Sequence, residues 1–302
     1  MPKTGKKPTS KPKKPQKTKP ISNEPKVIET APKLLRQSVE ILYKQKKTTS
    51  LLLLIYLLAM LLFSSGLVTI STTSQLRSSI TGTNHGVRPS LSSGLSVFDS
   101  LVKSTISSSS INSGAQTVLF VIFSLGIIWF LRYLYLKKQP KVRDILYNSQ
   151  TALIPFFLEI TLIFLEIIPA LLATYIYSVT LTTGVAANGF EKLIWALICL
   201  ALLFVSFYLV MSSIFSLYIV TLPNMRPIGA LKASWALVKK RRSLIFRKLL
   251  FIPLVLIIGI GLISVLFILL IPPLAGWLFL SLTVISVAIA HSYVYALYRE
   301  LI

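Results

Sequence analysis

Residues 221–248, TLPNMRPIGALKASWALVKKRRSLIFRK, decide the fold of this chain. The stretch contains eight Lys or Arg and no acidic residue, and it separates two long apolar runs. From Pro227 onward its apolar residues recur at helical spacing. Because basic residues beside apolar runs collect on the cytoplasmic side of a membrane, we predict a basic surface helix there, connecting two membrane-spanning helices.

Composition supports a membrane protein over a soluble one. Of the 302 residues, 54% are hydrophobic and 14% are charged, and the mean hydropathy is +0.73. A soluble domain of this length does not need so much apolar surface. The net charge of +23 is unevenly distributed, because 14 of the 32 Lys and Arg fall in the first 47 residues and others follow apolar runs. That distribution is typical of charges that set membrane topology, so nucleic acid is not expected as a partner.

The hydrophobic runs predict an all-α polytopic protein with six transmembrane helices, in a domain over residues 33–302. The predicted spans are about 51–70, 117–136, 152–177, 193–220, 249–271 and 274–296. With this layout, 28 Lys and Arg lie on the inner side and 4 on the outer side. The asymmetry predicts that both termini are cytoplasmic.

Three segments outside the spans have their own predictions. Residues 1–32 are rich in Lys and Pro and are expected to form a disordered cytoplasmic tail. A solvated tail that fixes orientation is the favoured interpretation, and an electrostatic hook for anionic lipid or RNA is the alternative. Pro32 opens an amphipathic segment that predicts an interfacial helix. Short surface helices are also expected near 95–106 and over 142–150.

Two carboxyl groups and one imidazole lie inside the apolar runs. Glu159 and Glu166 are in the third predicted span and His291 is in the sixth. Charged groups in a membrane are costly, so each should face the helix bundle or a wet cavity. A proton or cation path, or a polar pocket for a lipid headgroup, is one interpretation. A protonated Glu hydrogen-bonded between helices is the other, and a pair between Glu159 and His291 is geometrically possible.

The basic connector is expected to place Ile228, Leu231, Trp235 and Val238 on one face of a helix. Its cations are the predicted contacts for lipid phosphates, namely Lys232, Lys239, Lys240, Arg241 and Arg242. The pentapeptide ALKAS at 230–234 also resembles ILYNS at 145–149. This similarity suggests a duplicated unit of a surface helix followed by a span.

The run SIFSLYIVTLPNMRPIGALKASWALVKKRRSLIFRKLLFIPL and the ending HSYVYALYREL resemble uncharacterised six-helix membrane proteins of candidate-phyla bacteria. The nearer resemblance covers roughly residues 33–302. More distantly, chiefly over 205–260, the chain resembles the membrane domain of some glycerophosphodiester phosphodiesterases and the YciC-like inner-membrane proteins. The resemblance implies a bacterial inner membrane and six helices. It implies no catalytic residue, because the phosphodiesterase chemistry belongs to a separate acidic, metal-binding domain.

No catalytic, cofactor-binding or metal-binding arrangement is found in the sequence. Cys199 is the only cysteine, and neither of the two His lies near a Cys or the other His. We therefore expect a non-enzymatic structural or accessory protein that organises lipid or a membrane complex. Anionic lipid headgroups are the expected partners, with a possible protein partner at the cytoplasmic loop and tail. The alternative is a small transporter or lipid-handling protein that uses Glu159, Glu166 and His291.

Overall fold

The computed structural model describes residues 29–63, 110–138, 140–182, 188–239 and 241–302, and every regular element within these ranges is helical. A single 3-10 turn at Gln150–Ala152 joins α4 to α5. The helices are α1 (Ala31–Lys44), α2 (Lys46–Phe63), α3 (Ser110–Tyr135), α4 (Val142–Ser149), α5 (Leu153–Thr182), α6 (Gly189–Ser213), α7 (Ser216–Ile219), α8 (Pro227–Val238), α9 (Arg242–Leu270) and α10 (Pro272–Leu301).

The all-α polytopic fold is confirmed. Five segments are long and apolar enough to cross a membrane, with mean hydropathies between 1.7 and 3.0. A sixth is obtained if α1 and α2, which meet at an angle of 92°, form one broken span. The first predicted span is seen as α2 up to Phe63, and its remainder to residue 70 lies outside the described residues, as does the surface helix expected near 95–106.

The two predicted helices beside the long spans are also present. The expected surface helix over 142–150 is α4, and the basic connector forms α8, which begins at Pro227. Proline suits the first turn of a helix because its missing N–H would have no intrahelical partner there. The turn before α8 places Asn224 at φ 61°, a left-handed conformation that asparagine tolerates better than most residues.

Three short helices, α1, α4 and α8, share a sequence and burial pattern, and we call them the elbow helices. Each contains an apolar residue and, four positions later, a serine, both with at most 1% of their surface exposed. These pairs are Leu34 and Ser38, Ile145 and Ser149, and Ala230 and Ser234. The pentapeptides LLRQS, ILYNS and ALKAS therefore mark three repeats, one more than the sequence similarity suggests. Each repeat is an elbow helix followed by a helix pair: α2 and α3, α5 and α6, or α9 and α10.

Each elbow helix packs against the helix pair of the preceding repeat. Helix α4 contacts α3 and α2, and α8 contacts α6, α7 and α5. Helix α1 is the first described helix, and it contacts α10 and α9, the last described helix pair. This cyclic order of contacts closes the three repeats into a ring, as expected for parallel repeats arranged about an axis along the membrane normal.

Burial separates the centre of the ring from its periphery. In the most apolar 18-residue stretch of α3, 50% of the residues are buried in the protein. In the corresponding stretch of α6–α7, only 6% are buried. Helix α6 packs mainly along α5, and these two helices share the most extensive interface of the fold. The outer faces of α5 and α6 are therefore the surfaces that the hydrocarbon of a bilayer would cover.

The start of the described chain is tied to its end. The backbone N–H of Glu29 donates to the Glu300 carboxylate at 3.2 Å, and the Lys248 ammonium donates to the Glu29 carbonyl. The Ser292 hydroxyl donates to the Ser38 carbonyl at 3.1 Å. The predicted tail over 1–32 thus ends earlier than expected, since residues from Glu29 onward are fixed against α9 and α10. Residues 1–28 lie outside the described residues.

The elbow pattern predicts the effect of enlarging one buried position. Ala230 is 0% exposed, so Ala230→Leu should force α8 away from the ends of α5 and α6. Overpacking of this kind costs about 1–3 kcal/mol of unfolding free energy. The measurement is thermal or denaturant unfolding in detergent.

Ala236→Leu is the matched control, because Ala236 lies on the exposed side of the same helix. It should change stability by less than about 0.5 kcal/mol. Equal losses for the two variants would contradict the packing of α8 described here.

Candidate functional site

Glu166 is connected to the basic elbow helix α8 through a chain of hydrogen bonds. The Ser213 hydroxyl donates to the Glu166 carboxyl at 2.7 Å, and the Trp235 indole N–H donates to the same serine oxygen at 2.9 Å. Glu166 lies on α5, Ser213 ends α6 and Trp235 lies on α8. One intramembrane carboxyl group therefore fixes the position of a surface helix.

Two further serine contacts strengthen the same joint. The Ser206 hydroxyl of α6 donates to the Glu166 backbone carbonyl at 2.5 Å. The Ser234 hydroxyl of α8 donates to the Ser212 carbonyl at 2.6 Å, near the end of α6 where carbonyl groups lose their helical partners. Small hydroxyl side chains let membrane helices approach closely and bond across the interface. The joint between α5, α6 and α8 is thus both tightly packed and polar.

Glu159 lies on the same helix but has no such arrangement. Its side chain is 0% exposed, and neither carboxyl oxygen has a hydrogen-bond partner among the described residues. The Ser216 hydroxyl lies beside it but donates to the Ser213 carbonyl at 2.6 Å, and Glu166 is close enough to interact electrostatically. A buried polar group without a partner is costly, so Glu159 is the least satisfied side chain of this region.

His291 does not pair with Glu159. Its Nδ1 is 3.1 Å from the Tyr218 hydroxyl, and its Nε2 is 3.1 Å from the Ser124 hydroxyl. A neutral imidazole has one donor and one acceptor, so the two hydroxyl groups can satisfy both nitrogens. Ser124 belongs to α3, His291 to α10 and Tyr218 to α7, which directly follows the helix pair of the second repeat, so one residue from each repeat meets at this point. We call this trio the His291 node.

Sequence reasoning missed a second contact near the node. The Arg132 guanidinium donates to the Thr221 carbonyl at 3.0 Å and to the Thr221 hydroxyl at 2.7 Å. It also lies 5.1 Å from the centre of the Trp129 ring. In the sequence, an Arg among aromatic residues indicates only a water–lipid boundary. In the structure its bidentate contact holds the turn that leads into α8.

The basic residues of the connector have different environments. Lys232 and Lys239 are exposed, whereas Arg241 and Arg242 are half-buried. The Arg242 guanidinium lies 4.8 Å from the centre of the Tyr208 ring of α6. Lys240 lies outside the described residues. The structure therefore leaves Lys232 of α8 and Lys239, the residue after α8, exposed and places Arg242 against a neighbouring span.

The predicted face of α8 with Ile228, Leu231, Trp235 and Val238 is only partly buried. Ala230, Ser234 and Val238 form the buried side, whereas Ile228 is 62% exposed. Trp235 is 39% exposed, and its indole N–H reaches into the joint. Small residues occupy the buried side because they allow α8 to lie directly on the ends of α5 and α6. A hydrophobicity pattern alone cannot identify such a face.

The chemistry available at these sites is limited. No group of three or more His, Cys, Asp or Glu that could hold a metal ion occurs within the described ranges. Glu166 and His291 belong to two separate arrangements, one around α8 and one at the His291 node, and Glu159 has no hydrogen-bond partner in either. The all-α fold, with five or six possible spans and these buried polar contacts between them, is that of an integral membrane protein.

Comparison with protein-family models, curated proteins and solved structures gave no match to this chain. The resemblance to six-helix bacterial proteins therefore stays a prediction.

The hydrogen-bond chain from Glu166 to Trp235 can be tested with a double-mutant cycle. Ser213→Ala and Trp235→Phe each remove one member, so their effects on unfolding free energy should not add. Hydrogen bonds between membrane helices give a coupling energy of about 0.6 kcal/mol on average, and up to about 1.7 kcal/mol. The measurement is reversible unfolding in mixed micelles.

Ser264→Ala provides the control cycle with Trp235→Phe. Ser264 is buried on α9, and its hydroxyl has no partner among the described residues. Additive effects are expected for that pair. Additivity in both cycles would show that Trp235 is not coupled to Ser213.

Proposed function

We propose that this protein is a non-enzymatic accessory protein of a bacterial cytoplasmic membrane that organises anionic lipid at its cytoplasmic face. The observation that supports this most directly is the hydrogen-bond chain from Glu166 through Ser213 to Trp235. Through this chain of hydrogen bonds, the Glu166 carboxyl group holds the basic helix α8 in place. Residues used in this way contribute to the shape of a surface, not to a route across the membrane.

The charge on that surface favours lipid over other ligands. Lys232 on α8 and Lys239 directly after it are exposed, and the neighbouring Arg241 and Arg242 are half-buried. Each basic residue near an anionic bilayer surface contributes about 1 kcal/mol of attraction. In the proposed orientation both termini and all three elbow helices are cytoplasmic, because that places the connector and its charges on the inner side.

Lipid organisation predicts a local excess of anionic lipid around the protein. The full chain would be extracted from its native membrane in polymer nanodiscs, and the lipids in the discs compared with the bulk membrane by mass spectrometry. Anionic lipid should be enriched severalfold. Lys232→Gln combined with Lys239→Gln should reduce the enrichment, because exposed cations attract headgroups through charge.

Lys192→Gln is the control, since this lysine lies at the opposite end of α6 and is also exposed. It should leave the enrichment unchanged. If discs containing the wild-type protein had the lipid composition of the bulk membrane, the proposal would be wrong. A stoichiometric protein partner that is lost with Lys232 and Lys239 would instead assign the surface to a membrane complex.

Transport is the second candidate, and Glu159 is the observation in its favour. A fully buried carboxyl group without a hydrogen-bond partner among the described residues is a feature of proton and cation pathways as well as of packed bundles. A transporter would show a pH-dependent flux in liposomes that Glu159→Gln abolishes while the protein stays folded.

The accessory function predicts no flux with the wild-type chain and a change in stability alone with Glu159→Gln. Glu40→Gln is the matched control, because Glu40 is a 60% exposed carboxylate on an elbow helix. It should affect neither property. Flux lost specifically with Glu159→Gln would replace the accessory function by transport.

A further inference from the structure

Two grooves open to the membrane at equivalent places in the first and third repeats. One lies between α6 and α9 and has a volume of about 220 Å³. The other lies between α2 and α10 and has a volume of about 430 Å³. In each case the groove separates the first long helix of a repeat from the last helix of the preceding repeat. Each groove begins where an elbow helix ends, so the two grooves occupy equivalent positions in the ring of repeats.

The groove of the third repeat has apolar walls and a cation at its mouth. Phe204, Phe207 and Met211 of α6 face Ile245 and Phe246 of α9. The Phe207 and Phe246 rings meet edge to face at 5.0 Å. From Met211 to Phe204 the groove follows α6 for about 10 Å, most of one leaflet of hydrocarbon.

Arg242 forms the mouth of that groove with Tyr208. Its guanidinium is held 4.8 Å from the tyrosine ring centre, and its Nε is buried without a hydrogen-bond partner in the part of the chain that the structure describes. A buried guanidinium donor without an acceptor favours an anionic oxygen. Hydrocarbon walls below a guanidinium match a phospholipid, with its acyl chain in the groove and its phosphate at the mouth.

The groove of the first repeat has the same construction from different residues. Leu53 and Leu57 of α2 face Val284 and Ile285 of α10. Lys46 lies at the bend between α1 and α2, with its ammonium 5.7 Å from the centre of the Tyr43 ring. A cation over a tyrosine thus marks the mouth of both grooves.

The two cations are equivalent in the repeat. Lys46 lies eight residues after the elbow serine Ser38, and Arg242 lies eight residues after Ser234. The corresponding residue of the second repeat is Phe157. Glu159 and Glu166 belong to that second repeat only, so the repeats with a basic mouth are the ones without an intramembrane carboxyl group in their first long helix.

We propose that these two grooves are binding sites for an anionic phospholipid, with one acyl chain between the helices and the phosphate at Arg242 or Lys46. The inference rests on the proposed function and specifies where the lipid is held. A bound lipid would fill the gap between neighbouring repeats and join them through its hydrocarbon.

The test uses photoactivatable phosphatidylglycerol with the reactive group on an acyl chain. The full chain is placed in phosphatidylcholine nanodiscs containing this probe, and cross-linked peptides are mapped by mass spectrometry. Wild-type protein should be labelled at both grooves. Arg242→Gln should lower labelling between α6 and α9 by roughly tenfold, the effect of losing one charge-assisted hydrogen bond, and leave the other groove labelled. Lys46→Gln should give the reverse.

The groove that stays labelled shows that each variant is folded. Arg247→Gln and Lys47→Gln are matched controls, because both are exposed cations on the same helices. They should lower labelling at both grooves equally and by no more than about fivefold, the generic effect of one surface charge.

Three results would overturn the inference. Labelling spread evenly over the outer faces of α5 and α6 would mean that only bulk lipid is present. Equal labelling by a phosphatidylcholine probe would show that the cations do not select the lipid. Displacement of the lipid by inorganic phosphate would show that the mouths of the grooves bind anions in general.

The lipid composition of the discs separates this inference from the proposed function. Enrichment of anionic lipid in native-membrane discs without labelling of the grooves would leave the proposed function standing and disprove the groove sites. Labelled grooves without enrichment would leave the groove sites standing and disprove the proposed function.

Discussion

The imidazole of His291 joins helices of all three repeats. Its two nitrogens reach Ser124 and Tyr218, each at 3.1 Å, so three helices that are distant in sequence share one pair of hydrogen bonds. In a membrane, apolar side chains gain little by contacting protein instead of lipid, and a polar contact between helices can therefore decide their arrangement. Around this point Tyr218, Tyr295 and Tyr298 pack with ring centres about 6 Å apart. The remaining helices are then positioned by the elbow helices at one end of the bundle.

The three elbow helices pack in the same way but make different polar contacts. A buried apolar residue and a buried serine recur in all three, but the polar contacts differ. Glu166 and Ser213 hold α8, the Asn148 amide donates to the Tyr133 hydroxyl at 3.3 Å beside α4, and Ser292 holds α1. This combination shows how elbow helices of largely different sequence can pack in the same way. Packing of a short helix on two helix ends needs small buried residues, whereas the hydrogen bonds can come from any suitable side chain.

The long helices could be predicted from the sequence, and their partners could not. Hydropathy located the spans and the start of α8 at Pro227, because a bilayer requires long apolar helices whatever they pack against. Burial inside the bundle follows a different rule, because the buried side of α8 carries Ala230 and Ser234, whereas the apolar residue Ile228 is 62% exposed. The pairing of His291 depends on which repeat closes the ring, which no local pattern contains. The first repeat carries the matching pentapeptide LLRQS, but a five-residue similarity identifies a repeat only when burial shows that the positions are equivalent.

Closure of the ring between the first elbow helix and the last helix is the central claim, and cross-linking tests it most directly. In a Cys199→Ser background, Ser38→Cys and Ser292→Cys would be combined in the full chain and treated in native membranes with a small membrane-permeant oxidant, because both positions are buried and a disulfide needs no bulky reagent between them. These residues are joined by a 3.1 Å hydrogen bond and lie 254 positions apart in sequence. The closed ring predicts efficient intramolecular cross-linking, and none when Glu40→Cys, on the exposed side of α1, replaces Ser38→Cys. Equal cross-linking of the two pairs, or none with Ser38→Cys, would show that α1 does not close the ring on α10.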